Sequence, residues 1–403
     1  MENNREFRFP AEFEQHAAIW IAWPVFEYKR GLSAVPMYIE IIRTLTPHVR
    51  VKIQVNDAAS RINVERLLMG ASINMNQVTF HDVPHDDIWV RDPGPIFVVD
   101  NNKKKKMVLM DFDCYGYESA DSPHSMLAKH ANELIATELQ IDTISSELIG
   151  EGGGREFNGK GSMIAVKSVE CQRNPTWSIE EMEVEFDRLF QVSNIIWLEE
   201  GIAEDDSTWT GPLEGPDGNH DIWTPNTTAG GHVDEVARFS SPSTVLLAEV
   251  SEEEASKDPI ARENRRRLER NFQILNAAKD QDGNPFRIVR IPHTDHLYAN
   301  MTRGDGGYDA LDVKYEFGCP FPMTDEIKVI AVSSYLNFLV TNGVVLLPRY
   351  WQPGLPTSTR DKDQKVLDTF KTEFPGREIV QIGCISINFG GGGIHCMTQQ
   401  EPL

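Results

Sequence analysis

Four short stretches of the chain set reactive side chains beside glycines or prolines. They are Asp87-Ile88-Trp89-Val90-Arg91-Asp92-Pro93-Gly94-Pro95, Glu151-Gly152-Gly153-Gly154, Gly230-Gly231-His232-Val233-Asp234 and Gly390-Gly391-Gly392-Gly393-Ile394-His395-Cys396. Glycine leaves the backbone bare, so a ligand can approach its amide groups. Beside Cys396, the amides of residues such as Gly392 and Gly393 would stabilise a thiolate, the nucleophilic form of cysteine. A buried cysteine next to a glycine-rich turn would carry the same letters. His232 and Asp234 lie two apart, so on a strand they would share one face and offer a proton carrier with a carboxylate. A satisfied core histidine is the plainer reading of that pair alone, and Arg91 would equally serve as an internal partner for Asp92 or Asp87. As a set, the segments bring cysteine, histidine and several carboxylates, with no His/Cys spacing for a metal. Carboxylates near a thiol raise its pKa and suppress it, unless the substrate is itself a cation. A planar guanidinium is the cation that carboxylates bind in bidentate fashion.

Such distant segments need a scaffold that gathers them. Short runs rich in β-branched residues predict strands over 49–55, 78–83, 96–99, 107–112, 163–166, 195–198, 244–250, 286–291, 338–347 and 378–382. Helices are expected over 37–45, 261–278 and 359–374. Another opens with Ser178 and Glu181 as a capping box, followed by Met182, Phe186 and Leu189 at helical spacing. Asn342-Gly343 inside the long apolar run marks a hairpin turn. The class is mixed α/β. Strand pairs flanked by one helix are compatible with a repeated ββαβ unit, although no literal repeat is present. No low-complexity linker divides the chain, so 1–403 reads as one domain. Two segments stand out as long loops with the character of insertions, within 205–231 (core 207–229) and over 298–324. The first carries Trp209 and Trp223, which favours an ordered lid.

The bulk properties narrow the function. A formal net charge of −22 opposes a nucleic-acid partner and mildly favours a cationic small molecule, though it serves solubility equally well. Lys103 to Lys106 follow Asp100-Asn101-Asn102 and read as a hairpin tip. No run reaches the ~18 to 20 apolar residues of a membrane span. The first residues lack the basic start and apolar core of a signal peptide, so a cytoplasmic protein is expected. Five cysteines without a CxxC suggest neither a disulfide framework nor a zinc ribbon.

These segments resemble the agmatine deiminase and Porphyromonas-type peptidylarginine deiminase family of the guanidine-modifying superfamily. The resemblance runs nearly end to end, in order. It begins at Phe9-Pro10-Ala11-Glu12-Phe13-Glu14 and Ile19-Trp20-Ile21-Ala22-Trp23-Pro24. It continues through Asn174-Pro175, Ile196-Trp197-Leu198, Ala237-Arg238-Phe239 and Ser334-Tyr335-Leu336-Asn337-Phe338, and ends on His395-Cys396-Met397-Thr398-Gln399-Gln400-Glu401-Pro402. It implies a five-bladed pseudo-symmetric α/β propeller (the pentein fold) of ββαβ units. By motif it implies Cys396 as nucleophile, His232 as general acid/base, and Asp92 and Asp234 as the guanidinium-binding pair. Glu151 would stand beside the histidine, Trp89 at the entrance and Asp87 toward the substrate's tail. The implied reaction is hydrolysis of a small guanidino compound, agmatine or a related amine or acid, to a ureido product and ammonia. It would proceed through a thiouronium on Cys396, with no metal or organic cofactor, in arginine metabolism and polyamine biosynthesis. The partner is a small cationic guanidino substrate, with no nucleic acid or membrane, and self-association, if any, into a homodimer. An amidinotransferase using the same cysteine, or a non-catalytic guanidino-binding propeller, are the alternatives.

Two departures from the family concern the tail. Thr228 stands four before His232, where relatives carry an acid, and Asp205-Asp206 are separated from Gly231 by the loop, so a carboxylate is missing there or displaced along the insertion. Arg155 and Glu156 replace an apolar residue followed by His or Asp. Arg155 is therefore expected to bind a carboxylate on a guanidino acid such as arginine, the alternative being an ion pair with Glu156 or another surface acid.

Overall fold

Every strand run read from the sequence is present within about two residues of its expected bounds, and what orders them is a recurring crossover. The computed structural model describes residues 6–225, 228–315 and 324–403. Among these, four sheets share one plan: an antiparallel pair, then a third strand parallel to the second. They are Ile96–Val99, Lys105–Asp111 and Thr143–Ile149; Arg155–Phe157, Ser162–Val166 and Asn194–Leu198; Ala237–Ser241, Thr244–Glu249 and Arg287–Pro292; and Leu339–Thr341, Val344–Arg349 and Glu378–Gly383. A fifth joins the two ends of the chain. Gln399–Pro402 runs antiparallel to His16–Ala22, which pairs in parallel with Arg50–Val55 and so with Val78–Asp82.

Parallel neighbours need a long crossover, and a helix supplies it in each sheet. Those crossovers include Val35–Leu45, Pro123–Leu139, Ile179–Phe190, Pro259–Ala277 and Thr357–Glu373. The capping box forms as expected: Ser178 Oγ accepts from the Glu181 amide and the Glu181 carboxylate from the Ser178 amide. Met182, Phe186 and Leu189 are buried on that helix. Covered on both faces, central strands such as Ser162–Val166 are buried throughout, which is why they read as continuous apolar runs rather than alternating ones. Pro123–Leu139 has a weak apolar stripe and partly exposed sides, so its sequence gave little periodic signal.

The two expected loops are corrected. Leu213–Glu214 and His220–Trp223 from the first, and Tyr298–Thr302 from the second, build one further sheet around Glu326–Ile330. Helix Gly306–Tyr315 follows. Each strand is too short to show a period, and His220–Trp223 has its parallel partner about a hundred residues away, so glycine and proline dominate the local signal. Asn226, Thr227 and residues 316–323, including Gly318, Cys319, Pro320 and Pro322, lie outside the described residues. Among the described residues no helix is long and apolar enough to cross a membrane.

The feature that positions the chemistry is shared by all five crossover sheets. Each of the reactive segments immediately precedes the leading strand of one of them. Asp92 precedes Ile96–Val99, Glu151 precedes Arg155–Phe157, His232 and Asp234 precede Ala237–Ser241, and Cys396 precedes Gln399–Pro402. The remaining sheet contributes Asn337, just before Leu339–Thr341.

Candidate active site

Cys396, His232, Asp92 and Asp234 line one small pocket with Trp89, Tyr115, Asp205, Glu235 and Gly391. The cysteine sulfur lies 3.0 Å from the Asn337 side-chain nitrogen, 3.5 Å from Asp234 Oδ2 and 3.9 Å from Glu235 Oε1. Asn337 also fixes the backbone at Cys396, because its oxygen accepts from the amides of His395 and Cys396. The glycines before it are sterically required. A Cβ on Gly392 would come 2.9 Å from the Cys396 sulfur and 3.0 Å from the Trp89 ring, and one on Gly393 would strike the Asn337 side chain at 2.7 Å.

His232 sits between two acids. Its Nε2 is 3.2 Å from Glu151 Oε2 and its Nδ1 3.8 Å from Asp92 Oδ1. The His-Val-Asp segment is not the strand entry expected. Val233–Glu235 is a 3-10 turn, closed by the Val236 amide on the Val233 carbonyl, and it aims Asp234 and Glu235 at the sulfur. Glu151 is anchored on its other side by Arg173 Nε at 2.8 Å. Asp92 accepts from the Gly153 amide at 3.0 Å and from the Tyr115 hydroxyl at 3.0 Å. A Cβ on Gly153 would lie within about 3 Å of Asp92, His232 and Asp234 together, so this glycine occupies the point where the three converge.

The acids set the proton states. Burial, reinforced by Asp234, Glu235 and Asp92, pushes the Cys396 thiol well above its usual range, against the Gly393 backbone amide. Burial opposes charge on His232, but Asp92, the Glu151 hydrogen bond and Asp234 outweigh it and lift its pKa to about 9. Burial lifts Asp92 to about 6 although His232 opposes it, while Glu151 is held at about 2 against its burial by Arg173 and His232. The resting site thus holds a thiol, an imidazolium and several carboxylates. Asp234 Oδ1 and Glu235 Oε2 are buried without a hydrogen-bond donor. Burial beside Asp234 pushes Glu235 well above the usual carboxylate range, so it is Asp234 that rests as a buried carboxylate lacking a donor, and a cation bearing N–H groups is what would satisfy it.

Several contributors escaped the sequence reading. Asp205, expected to be displaced along the loop, returns beneath the histidine and accepts from the amides of Ala229, Gly231 and His232 at 2.8 to 2.9 Å. Glu235 had only its adjacency to Asp234 as a signal, and Tyr115 had none. His395 bridges Asp234 and Glu12, at 2.7 and 2.6 Å. Arg91 serves neither Asp92 nor Asp87 as a partner; it bonds Gln400, the His395 carbonyl and Glu12. Thr228 shares a hydrogen bond with the Tyr117 hydroxyl.

Arg155 is a correction. Its guanidinium pairs with Glu170 at 2.7 Å, both side chains no more than 2% exposed, and stacks over Phe186. It faces the helices of its own sheet because the buried Glu170 needs a partner, and it has no opening toward a substrate carboxylate. Arg155→Met is therefore expected to cost about 3–5 kcal/mol in urea unfolding, by stranding Glu170 in the interior. Unchanged stability with weakened binding of acidic substrates would restore the original expectation.

Beyond the pocket, a cavity of about 330 Å³ is lined by Phe26, Asp86, Asp87, Phe112, Tyr115 and Glu118, among others. Trp89 and Tyr115 line both spaces, so they stand between them. Trp89 packs against Tyr28, whose hydroxyl donates to Asp87. Asp87 therefore lines the outer cavity and not the inner pocket. The inner pocket, at about 10 Å³, has room for at most about one water, so a guanidinium reaches Cys396 only if lining side chains such as Trp89 or Tyr115 shift.

The sequence profile described as Porphyromonas-type peptidyl-arginine deiminase matches residues 8–210 and 220–402. A Legionella pneumophila protein is 27% identical over 98% of this chain and 95% of its own. An agmatine deiminase of Pseudomonas aeruginosa is 26% identical, with 98% of this chain and 95% of its own covered. The solved agmatine deiminase of Enterococcus faecalis superposes with a TM-score of 0.77 at 23% identity, over 99% of this chain and 97% of that one.

Proposed function

Because the chain belongs to the Porphyromonas-type peptidyl-arginine deiminase family, we propose that it hydrolyses the guanidinium group of a small guanidino compound, yielding a ureido product and ammonia. The observation that carries this is the gathering of Cys396, His232, Asp92 and Asp234 around one pocket. One catalytic unit spanning 1–403, arranged as a five-bladed propeller, is the architecture this reading adopts. The repeated crossover sheets and the place of each reactive segment support it.

Asp92 and Asp234 bind the guanidinium nitrogens, and the bound cation offsets the negative charge that holds Cys396 as a thiol, so the thiol gives up its proton to solvent. The thiolate attacks the guanidinium carbon and forms the C–S bond. The His232 imidazolium gives its proton to the departing nitrogen, and the C–N bond breaks to release ammonia. Neutral His232 then takes a proton from water. The resulting hydroxide attacks the thiouronium carbon, the C–S bond breaks, and the hydroxyl proton returns to the departing sulfur, releasing the urea and restoring the thiol.

The tail reading follows from the cavity. Its lining carries Asp86, Asp87 and Glu118 and, among the described residues, no lysine or arginine. With Arg155 sequestered, an amine-tailed substrate such as agmatine is favoured over arginine or guanidinobutyrate. The names of the relatives point the same way. Ammonia release from the three compounds tests it: agmatine should lead in kcat/KM, and preference for either acid would overturn the assignment.

The pH dependence follows from the two shifted groups. Asp92 must be ionised to bind the cation, so kcat/KM falls as pH drops through about 6. His232 must be protonated to expel ammonia, so it falls again as pH rises through about 9. A profile that is flat from about pH 5 to 10 would remove both groups from these roles.

A further inference from the structure

We propose that Glu204, His293 and His296 form a zinc site outside the Cys396 pocket. One ligand atom from each lies within 4.8 Å of the others. Their side chains are 0%, 2% and 6% exposed. Glu204 Oε1 is 2.6 Å from His293 Nε2 and 3.8 Å from His296 Nε2. Ligands at tetrahedral zinc lie ~3.3 Å apart, so adjustments of under about 1 Å in these side chains would admit the ion.

The surroundings are those of a metal site rather than of a simple ion pair. His296 Nδ1 is held by Asp258 Oδ2 at 2.7 Å, leaving Nε2 buried with no hydrogen-bond partner. A carboxylate on the far nitrogen of a histidine fixes its tautomer and strengthens it as a ligand. Asn264 holds the other Glu204 oxygen at 2.7 Å. His293 Nδ1 is likewise buried and unpartnered, and the Tyr298 hydroxyl near these acids is buried without a partner. Two imidazoles and one carboxylate, with a fourth position for water, suit zinc over the harder magnesium or calcium. Lys362 reaches the segment through the His293 carbonyl and the Asp295 carboxylate, bonding neither histidine ring. His293-x-x-His296 was overlooked in the sequence because its third ligand lies 89 residues earlier.

The test uses Cys396→Ala protein, since Asp234, Glu235 and Cys396 could also capture zinc. After stripping with a chelator, zinc chloride alone is titrated calorimetrically. One equivalent should bind, raising the thermal midpoint. His293→Gln/His296→Gln in the same background should weaken binding at least ~100-fold, and Asp258→Asn, which retains the helix cap, by ~10–100-fold. Cobalt(II) in the Cys396→Ala parent should give the intense visible bands of a tetrahedral or five-coordinate site. That measurement decides the matter if the double variant does not fold. No stoichiometric binding by the parent, binding retained in the double variant, or a weak octahedral cobalt spectrum would overturn the site.

Discussion

Replacing Cys396 by alanine is expected to lower ammonia release by more than about 10⁴-fold while agmatine still binds. In the proposed reaction this sulfur forms the C–S bond, and no second thiol lines the pocket among the described residues. The groups that would hold the cation are untouched: Asp92 keeps the Gly153 amide and Tyr115, and Asp234 keeps His395. Asn337 still secures the backbone through the residue 395 and 396 amides, so the loop should keep its shape. Calorimetric binding alongside an ammonia assay separates the two effects. A variant that turns over at more than about one per cent of the parent rate would end the case for covalent catalysis.

Exchange of His232 for asparagine should reduce turnover by about 10²–10⁴-fold and leave a thiouronium adduct on Cys396, visible as an intact-mass increment. In the proposed reaction the ring supplies the proton for ammonia and takes the one from water, so removing it slows both steps. The substitution should be structurally mild. Asp205 grips the backbone amide rather than the ring, and Glu151 keeps Arg173 when the imidazole is gone. Undiminished turnover without an adduct would place the proton transfers elsewhere.

Much of the reacting end was legible in the sequence because it is written in local terms. Cys396 after four glycines, His232 after two and Glu151 before three each carry their own mark. The Ser178–Glu181 cap and the Asn342-Gly343 turn were read correctly for the same reason. What failed was whatever depends on a remote partner. Arg155 looked available because Glu170 had no sequence signal as its mate. The strands at His220–Trp223 and Tyr298–Thr302 looked irregular because Glu326–Ile330 organises both. Asn337 lay inside a quoted motif, yet its grip on the backbone at Cys396 is visible only once residues 59 apart are adjacent. Asp205 is the instructive intermediate: its displacement was noticed, but its return to the site required the fold.

The pairing of Gln399–Pro402 with His16–Ala22 also sets an order of events in synthesis. Asp92, Glu151, His232, Asp234 and Asn337 are all made before Cys396. A chain translated as far as Asn337 carries these side chains without the Cys396 sulfur, and its first sheet has an open edge. When residues 399–402 pair with His16–Ala22, that edge is closed and the sulfur is drawn in beside Asn337 in the same step.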